Sequence, residues 1–164
     1  MSNIYAMYYY ADQALLDGKE LTHIDRIIKP FSLLTHMQLW FSVRYDHKSC
    51  TSTMQGEPNG VKIIDTAYSH PLRWVAQLIP MTDTEENAAW AWFVLHDGNP
   101  YDLKGAAATA TGMHIIKPSD AGYWCNEACM SAIKFAKGWG DDCKPDTQLP
   151  IHTFFDLYRR LGKE

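Results

Sequence analysis

From residue 35 the chain alternates apolar and polar side chains. Met37, Leu39, Phe41 and Val43 fall on one side, and His36, Gln38, Trp40 and Ser42 on the other. A period of two predicts a strand over residues 35–44. A turn at 45–48 leads to a second strand over 50–54, and a loop rich in Gly, Pro and Asn follows at 55–60. Further strands are expected over 61–66 and 73–79, separated by Ser69-His70-Pro71. Upstream, Gly18 and Lys19 mark a loop, and residues 25–30 lead into the first clear strand.

The second half has helical periodicity. Thr82 followed by Glu85 is a capping-box signature ahead of Ala88, Ala89, Trp92 and Leu95, and Gly98 stands where that helix should stop. Residues 105–112, all Gly, Ala and Thr, are read as a small-residue loop. A helix over 123–137 carries Ala128, Cys129, Ala132, Ile133 and Ala136 on one stripe, with Gly138 just past its end. Pro150 opens a last helix bearing Ile151, Phe154, Phe155, Tyr158 and Leu161. Strands followed by helices predict an α+β fold: an antiparallel sheet or small barrel packed by segregated helices. With 164 residues and no repeat, linker or low-complexity tract, one domain over 1–164 is expected.

Composition narrows the function. Net charge is −4 and no basic cluster exceeds the pair Arg159–Arg160, which argues against a nucleic-acid partner. No apolar run is long enough to span a bilayer, and the N-terminus lacks the pattern of a signal peptide. The four cysteines form no CxxC pair, as expected of free thiols in a reducing compartment. The chain is therefore expected in a cytosol, or in a particle assembled there. Scattered His and Cys show no ligand spacing, so neither a metal nor a cofactor is expected.

Cys125 falls at the expected start of its helix. Unpaired N–H groups and the positive end of the helix dipole favour a thiolate there, and can hold an oxyanion. Cys129, Cys50 and Cys143 are read as small buried hydrophobes. A cysteine nucleophile needs a base, and the base needs a third group to orient it. His36, on the polar side of the first strand, is the candidate base, and Gln38, on the same side, the candidate orienting group. The remaining histidines (His23, His47, His70, His96, His114 and His152) are read as surface or structural.

The segment Gly98-Asn-Pro-Tyr101-Asp-Leu-Lys-Gly105, followed by Tyr123-Trp-Cys125-Asn-Glu127, resembles the NlpC-type signature G-x-P-Y-x-x-x-G … C-S. Here Thr35-His36-Met-Gln38-Leu precedes the cysteine, as in the circularly permuted, YiiX-like branch and its phage-encoded relatives, which carry S-H-V-E-L early and W-F-C-S-E late. The segments Gly60-Val-Lys-Ile-Ile-Asp, Ser69-His-Pro-Leu-Arg-Trp74 and Leu78-Ile-Pro80 look similar too, so the resemblance runs from about Asp25 to Leu161. It implies a permuted papain-like fold and a thiol-dependent hydrolase. Tyr101 then matches a tyrosine whose hydroxyl lies near the oxyanion. The chain departs from the pattern at Gln38 (for Glu), Asn126 (for Ser) and Thr35 (for Ser). A neutral Gln orients an imidazole but stabilises imidazolium less than a carboxylate does.

The expected substrate is an amide in a cell-wall peptide. Two rival readings are hydrolysis or transfer of lipid esters or acyl groups by the same dyad, as in lecithin retinol acyltransferase-like proteins, and a non-catalytic phage virion component whose partners are other structural proteins.

Overall fold

The computed structural model describes residues 2–55, 59–66, 68, 71–112, 122–140 and 148–162. Cys143, Ser69, His70 and His114 lie outside the described residues. Five strands, β1 (Ser2–Tyr10), β2 (Leu34–Trp40), β3 (Ser49–Thr53), β4 (Gly60–Ile64) and β5 (Trp74–Met81), form one antiparallel sheet in the order β4-β3-β2-β1-β5. The helices among the described residues are α1 (Ala11–Leu16), α2 (His23–Ile28), α3 (Asp83–His96), α4 (Leu103–Thr111), α5 (Cys125–Lys137) and α6 (Pro150–Leu161). The architecture is the expected α+β.

The sheet is open, which corrects the small-barrel alternative. β1 takes the central place between β2 and β5, leaving β4 and β5 at opposite edges. The edge of β4 is used by the chain leaving α3. Val61 N–H donates to the Asn99 carbonyl and Gly98 N–H to the Val61 carbonyl, each at 2.9 Å. That pairing protects the edge without closing the sheet.

Strand alternation sorts the two faces. Ile4, Ala6, Tyr8, Met37, Leu39, Cys50, Val61 and Ile79 form the main core with Ala89, Trp92 and Phe93 of α3, Ala128, Cys129, Met130, Ala132 and Ile133 of α5, and Leu157 of α6. The other face carries Tyr5, Met7 and Tyr9 of β1, paired with Trp40, Gln38 and His36 of β2. A second, smaller cluster joins Ile24 and Ile28 of α2, Ala106 and Ala110 of α4, Trp124, Cys125 and Leu149.

Three sequence readings are corrected. Residues 25–30, read as a lead-in, begin within α2, where Thr22 and Asp25 form a capping box. The small-residue loop at 105–112 is mostly helix. Asp102 caps α4 by accepting the Gly105 N–H at 2.8 Å, and alanine's high helix propensity carries the element to Gly112. The first strand ends at Trp40, because Ser42 caps a 3-10 turn over Val43–Tyr45.

Gly60, where β4 meets the chain leaving α3, is sterically required. At Gly60, with φ +125°, an added Cβ would lie 2.0 Å from the Asn99 carbonyl oxygen. Gly60→Ala is expected to destabilise the protein by about 2–4 kcal/mol. Gly18→Ala, at positive φ but with open space around the Cβ, should cost about 1 kcal/mol. Urea melts of both variants check the contrast; equal losses would mean that the Gly60–Asn99 contact does not carry the difference.

Candidate active site

Cys125 is the first residue of α5, after an extended Trp124. The lead-in is held by a short parallel bridge between Tyr101 and Tyr123. Tyr123 N–H donates to the Pro100 carbonyl at 3.0 Å and Asp102 N–H to the Tyr123 carbonyl at 3.2 Å. Gly122 allows this approach, since a Cβ there would meet the Pro100 oxygen at 2.9 Å. The Gly98–Gly105 signature thus fixes where α5 begins.

The sheet makes room for the sulfur. β2 and β3 pair only through Leu39–Cys50 and Trp40–Ser49. Below that point the Met37 carbonyl accepts from Thr51 Oγ1 at 2.7 Å and from Cys129 Sγ at 3.5 Å. Met37 N–H is directed at the sulfur of Cys125, as are the N–H groups of Asn126 and of Cys125 itself. The nucleophile candidate therefore lies beside the peptide that joins His36 to Met37.

His36 is half-buried, with its ring 6.4 Å from that of Trp74. No hydrogen bond joins His36 to Cys125 or to Gln38 among the described residues. Gln38 is buried, and its Oε1 accepts from Thr66 Oγ1 at 3.3 Å and Tyr68 Oη at 3.2 Å. Tyr101 packs against the Cys125 cluster, and its hydroxyl has no hydrogen-bond partner among the described residues. Cys129 and Cys50 lie in the main core, as their reading as small hydrophobes expects.

Sequence reasoning gave no role to Asp25. It is only 6% exposed, and it accepts Thr22 N–H at 3.2 Å, Thr22 Oγ1 at 2.7 Å and Thr35 Oγ1 at 2.6 Å. Its charge acts on His36, Cys125, Tyr101 and Tyr9. The Thr22-x-x-Asp25 spacing ahead of Ile27 and Ile28 was the available signal, because it is a capping box.

Burial holds both members of the candidate pair neutral. The Cys125 thiol is pushed up to about 12; the three N–H groups at the sulfur pull it down, but desolvation outweighs them. The imidazole of His36 is pushed down to about 4 by burial, with Asp25 opposing. Burial, with the Cys125 and Asp25 charges adding to it, raises the Tyr101 hydroxyl well above its usual value. At neutral pH the site holds a thiol, an imidazole and a phenol, all uncharged. Among the described residues no three His, Cys, Asp or Glu side chains gather as metal ligands, and no helix is long and apolar enough to cross a membrane. Comparison with family models, with curated proteins and with solved structures finds no match for this chain.

The shifts imply a stability window. Unfolded His titrates near about 6.5 and unfolded Cys near about 8.5. Between pH 6.5 and the folded value of about 4, the unfolded chain binds the extra proton. The His36 contribution is therefore lost as pH falls, by on the order of 2–3 kcal/mol. Above about 8.5 the unfolded thiol ionises while the folded one does not, so stability also falls as pH rises. Urea melts from pH 4 to 10 should show both limbs. His36→Gln should flatten the acid limb, and Cys125→Ala should reduce the alkaline one, to which the buried Cys50 and Cys129 thiols, also raised by burial, contribute as well; unchanged limbs in these variants would contradict the assigned shifts.

Proposed function

We propose that this chain is a thiol-dependent amide hydrolase of circularly permuted, papain-like type, with Cys125 as nucleophile and His36 as base. The observation that carries the reading is the setting of Cys125: first residue of α5, a thiol drawn down by the backbone N–H groups of Met37, Asn126 and Cys125, and in the same cluster a Tyr101 hydroxyl with no hydrogen-bond partner among the described residues. This is a donor set suited to a tetrahedral oxyanion.

In the proposed reaction His36 takes the thiol proton as sulfur attacks the substrate carbonyl. The oxyanion forms between the Cys125 N–H and the Tyr101 hydroxyl. Collapse breaks the C–N bond, and the departing amine takes the proton from His36. Water then attacks the thioester, giving its proton to His36. The second collapse releases the acid and the sulfur, which recovers that proton. While one ring nitrogen takes the thiol proton the other carries N–H and needs an acceptor, so the Gln38 Oε1, which already accepts from Thr66 and Tyr68, is the atom that would orient the imidazole. The resemblance points to a cell-wall peptide as substrate, in a host cytoplasm or carried in a phage particle. Lipid ester or acyl hydrolysis would use the same steps with an alcohol as leaving group.

One observation favours a second reading. Cys125 is 0% exposed, so a substrate reaches it only after the site opens. A permanently closed site suits a virion component that keeps the fold and binds other structural proteins.

Cys125→Ala should abolish release of fragments from purified peptidoglycan while costing about 1 kcal/mol or less of stability, because the cavity is small and Ala favours helix. Gln38→Glu should raise turnover, since the carboxylate would inherit the Thr66 and Tyr68 donors and stabilise imidazolium. Mass spectrometry of released fragments, with thermal melts, checks both. Activity that survives Cys125→Ala refutes the mechanism. Inactivity of every folded variant, wild type included, on both peptidoglycan and acyl esters favours the assembly module.

A further inference from the structure

We propose that Asp25 is the positioning residue of the Cys125–His36 pair: held by Thr22 and Thr35, its carboxylate governs how one proton divides between sulfur and imidazole. The inference deepens the hydrolase reading and rests on it.

The geometry comes first. Asp25 projects from α2 into the space between that helix and β2. Its neighbours on α2, Ile24 and Ile28, pack in one cluster with Trp124 and Cys125, against which Tyr101 also lies. One carboxylate oxygen accepts from Thr35 Oγ1, on the residue that immediately precedes His36, and the other accepts both the hydroxyl and the N–H of Thr22. Three donors fill most of the roughly four lone-pair sites of a carboxylate. The group is thus fixed on two sides, by the start of its own helix and by the strand that carries the base. A cap alone would need only Thr22. The Thr35 bond ties the charge to β2 at the register of His36.

The electrostatics agree. Asp25 is the charged side chain that acts on both His36, where it favours the imidazolium, and Cys125, where it disfavours the thiolate. Asp102 acts on Tyr101. Tyr9 from β1 also feels Asp25, together with Asp17 and Arg73, which form an ion pair at 2.7 Å. Trp74 faces the imidazole without charge. A fixed anion at this place keeps the proton on sulfur at rest and stabilises the imidazolium that forms during attack. Asp25 would do so without touching substrate.

The test separates charge from capping. His36 ring signals are titrated by NMR, and Cys125 alkylation by iodoacetamide at pH 8 is mapped by mass spectrometry. Cys129, one turn later on the same helix, is the internal reference for opening. Asp25→Asn and Asp25→Ser, in a stabilising osmolyte where either melts early, should lower the His36 midpoint by about one pH unit and speed Cys125 alkylation, relative to Cys129, by about three- to tenfold. Thr22→Ala, which loosens the cap and keeps the charge, and Asp25→Glu should stay near wild type in both readouts. Neutral variants that fold with both readouts unchanged overturn the proposal. So does Thr22→Ala shifting them as far as Asp25→Asn. Failure of both neutral variants to fold, while Thr22→Ala and Asp25→Glu fold, also overturns it, because the charge would then be structural. If Cys125→Ala keeps hydrolytic activity, the dyad reading fails whatever Asp25 does. If Cys125→Ala is inactive but the neutral variants change neither readout, the inference about Asp25 fails alone.

Discussion

α5 comes close to β2 and β3, and the buried residues that let it do so are small. Ala128, Cys129 and Ala132 are fully buried there, and Cys129 Sγ reaches the backbone carbonyl of Met37 at 3.5 Å and that of Cys50 at 3.9 Å. A sulfur can approach two strand carbonyls only if the helix backbone itself comes near. One turn earlier, the same approach carries Cys125 to the Met37 N–H. β2 and β3 part below Leu39 and Cys50, and side chains from β3 and α5 satisfy the backbone groups that a neighbouring strand would otherwise bind. A bulky residue at 128, 129 or 132 would lift the helix and withdraw the sulfur from the base. The position of the candidate nucleophile is therefore a packing result.

The same closeness governs the chemistry. Excluding water lifts the thiol and lowers the imidazole, so burial pushes the pair toward its neutral forms. The N–H groups at the helix start oppose this at the sulfur, and Asp25 opposes it at the imidazole. These influences do not cancel. They leave a resting pair without charge, surrounded by dipoles aimed at charges that would appear only during reaction. Such an arrangement limits adventitious alkylation of the sulfur, since the thiolate is the reactive form.

Where one face was buried and the other polar, the sequence was readable. β2 alternates because Met37 and Leu39 enter the core while His36, Gln38 and Trp40 do not, and α5 buries its apolar stripe, whereas Leu95 of α3 and Phe155 and Tyr158 of α6, named for their helices' apolar sides, are exposed. β1 escaped notice because both its faces are covered: Ile4, Ala6 and Tyr8 on one side, Met7 and Tyr9 on the other, all buried. A central strand of this kind shows no alternation. α4 was hidden by composition, since alanines between two glycines resemble a loop until Asp102 is seen as its cap. Asp25 was hidden by distance. Its capping role was written in four consecutive residues, but its closeness to Cys125 depends on packing one hundred residues later. Cys125 and His36 could be proposed separately; the carboxylate whose charge acts on both required the fold.

The Gly98–Gly105 segment has a complete structural account. Asn99 docks on Gly60 and Val61, Pro100 and Tyr101 pair with Tyr123, Asp102 caps α4, and an added Cβ at Gly105 would lie 2.3 Å from the Asp102 carboxylate. Each contact would be kept by a protein with no catalytic activity, so this motif speaks for the fold. The Asp25–His36–Cys125 cluster is different. An apolar residue at position 25 would spare the burial of a carboxylate, and Thr22 could still cap α2 through its own oxygen, which accepts the N–H of residue 25 at 3.1 Å. A leucine in place of His36 would spare the stability lost on acidification. The fold thus keeps titratable groups where its packing would be better served by hydrocarbon. Local choices that oppose stability and influence one another electrostatically are a physical reason to test for a site. Those choices, more than any motif, are what the proposal of chemistry at Cys125 draws on.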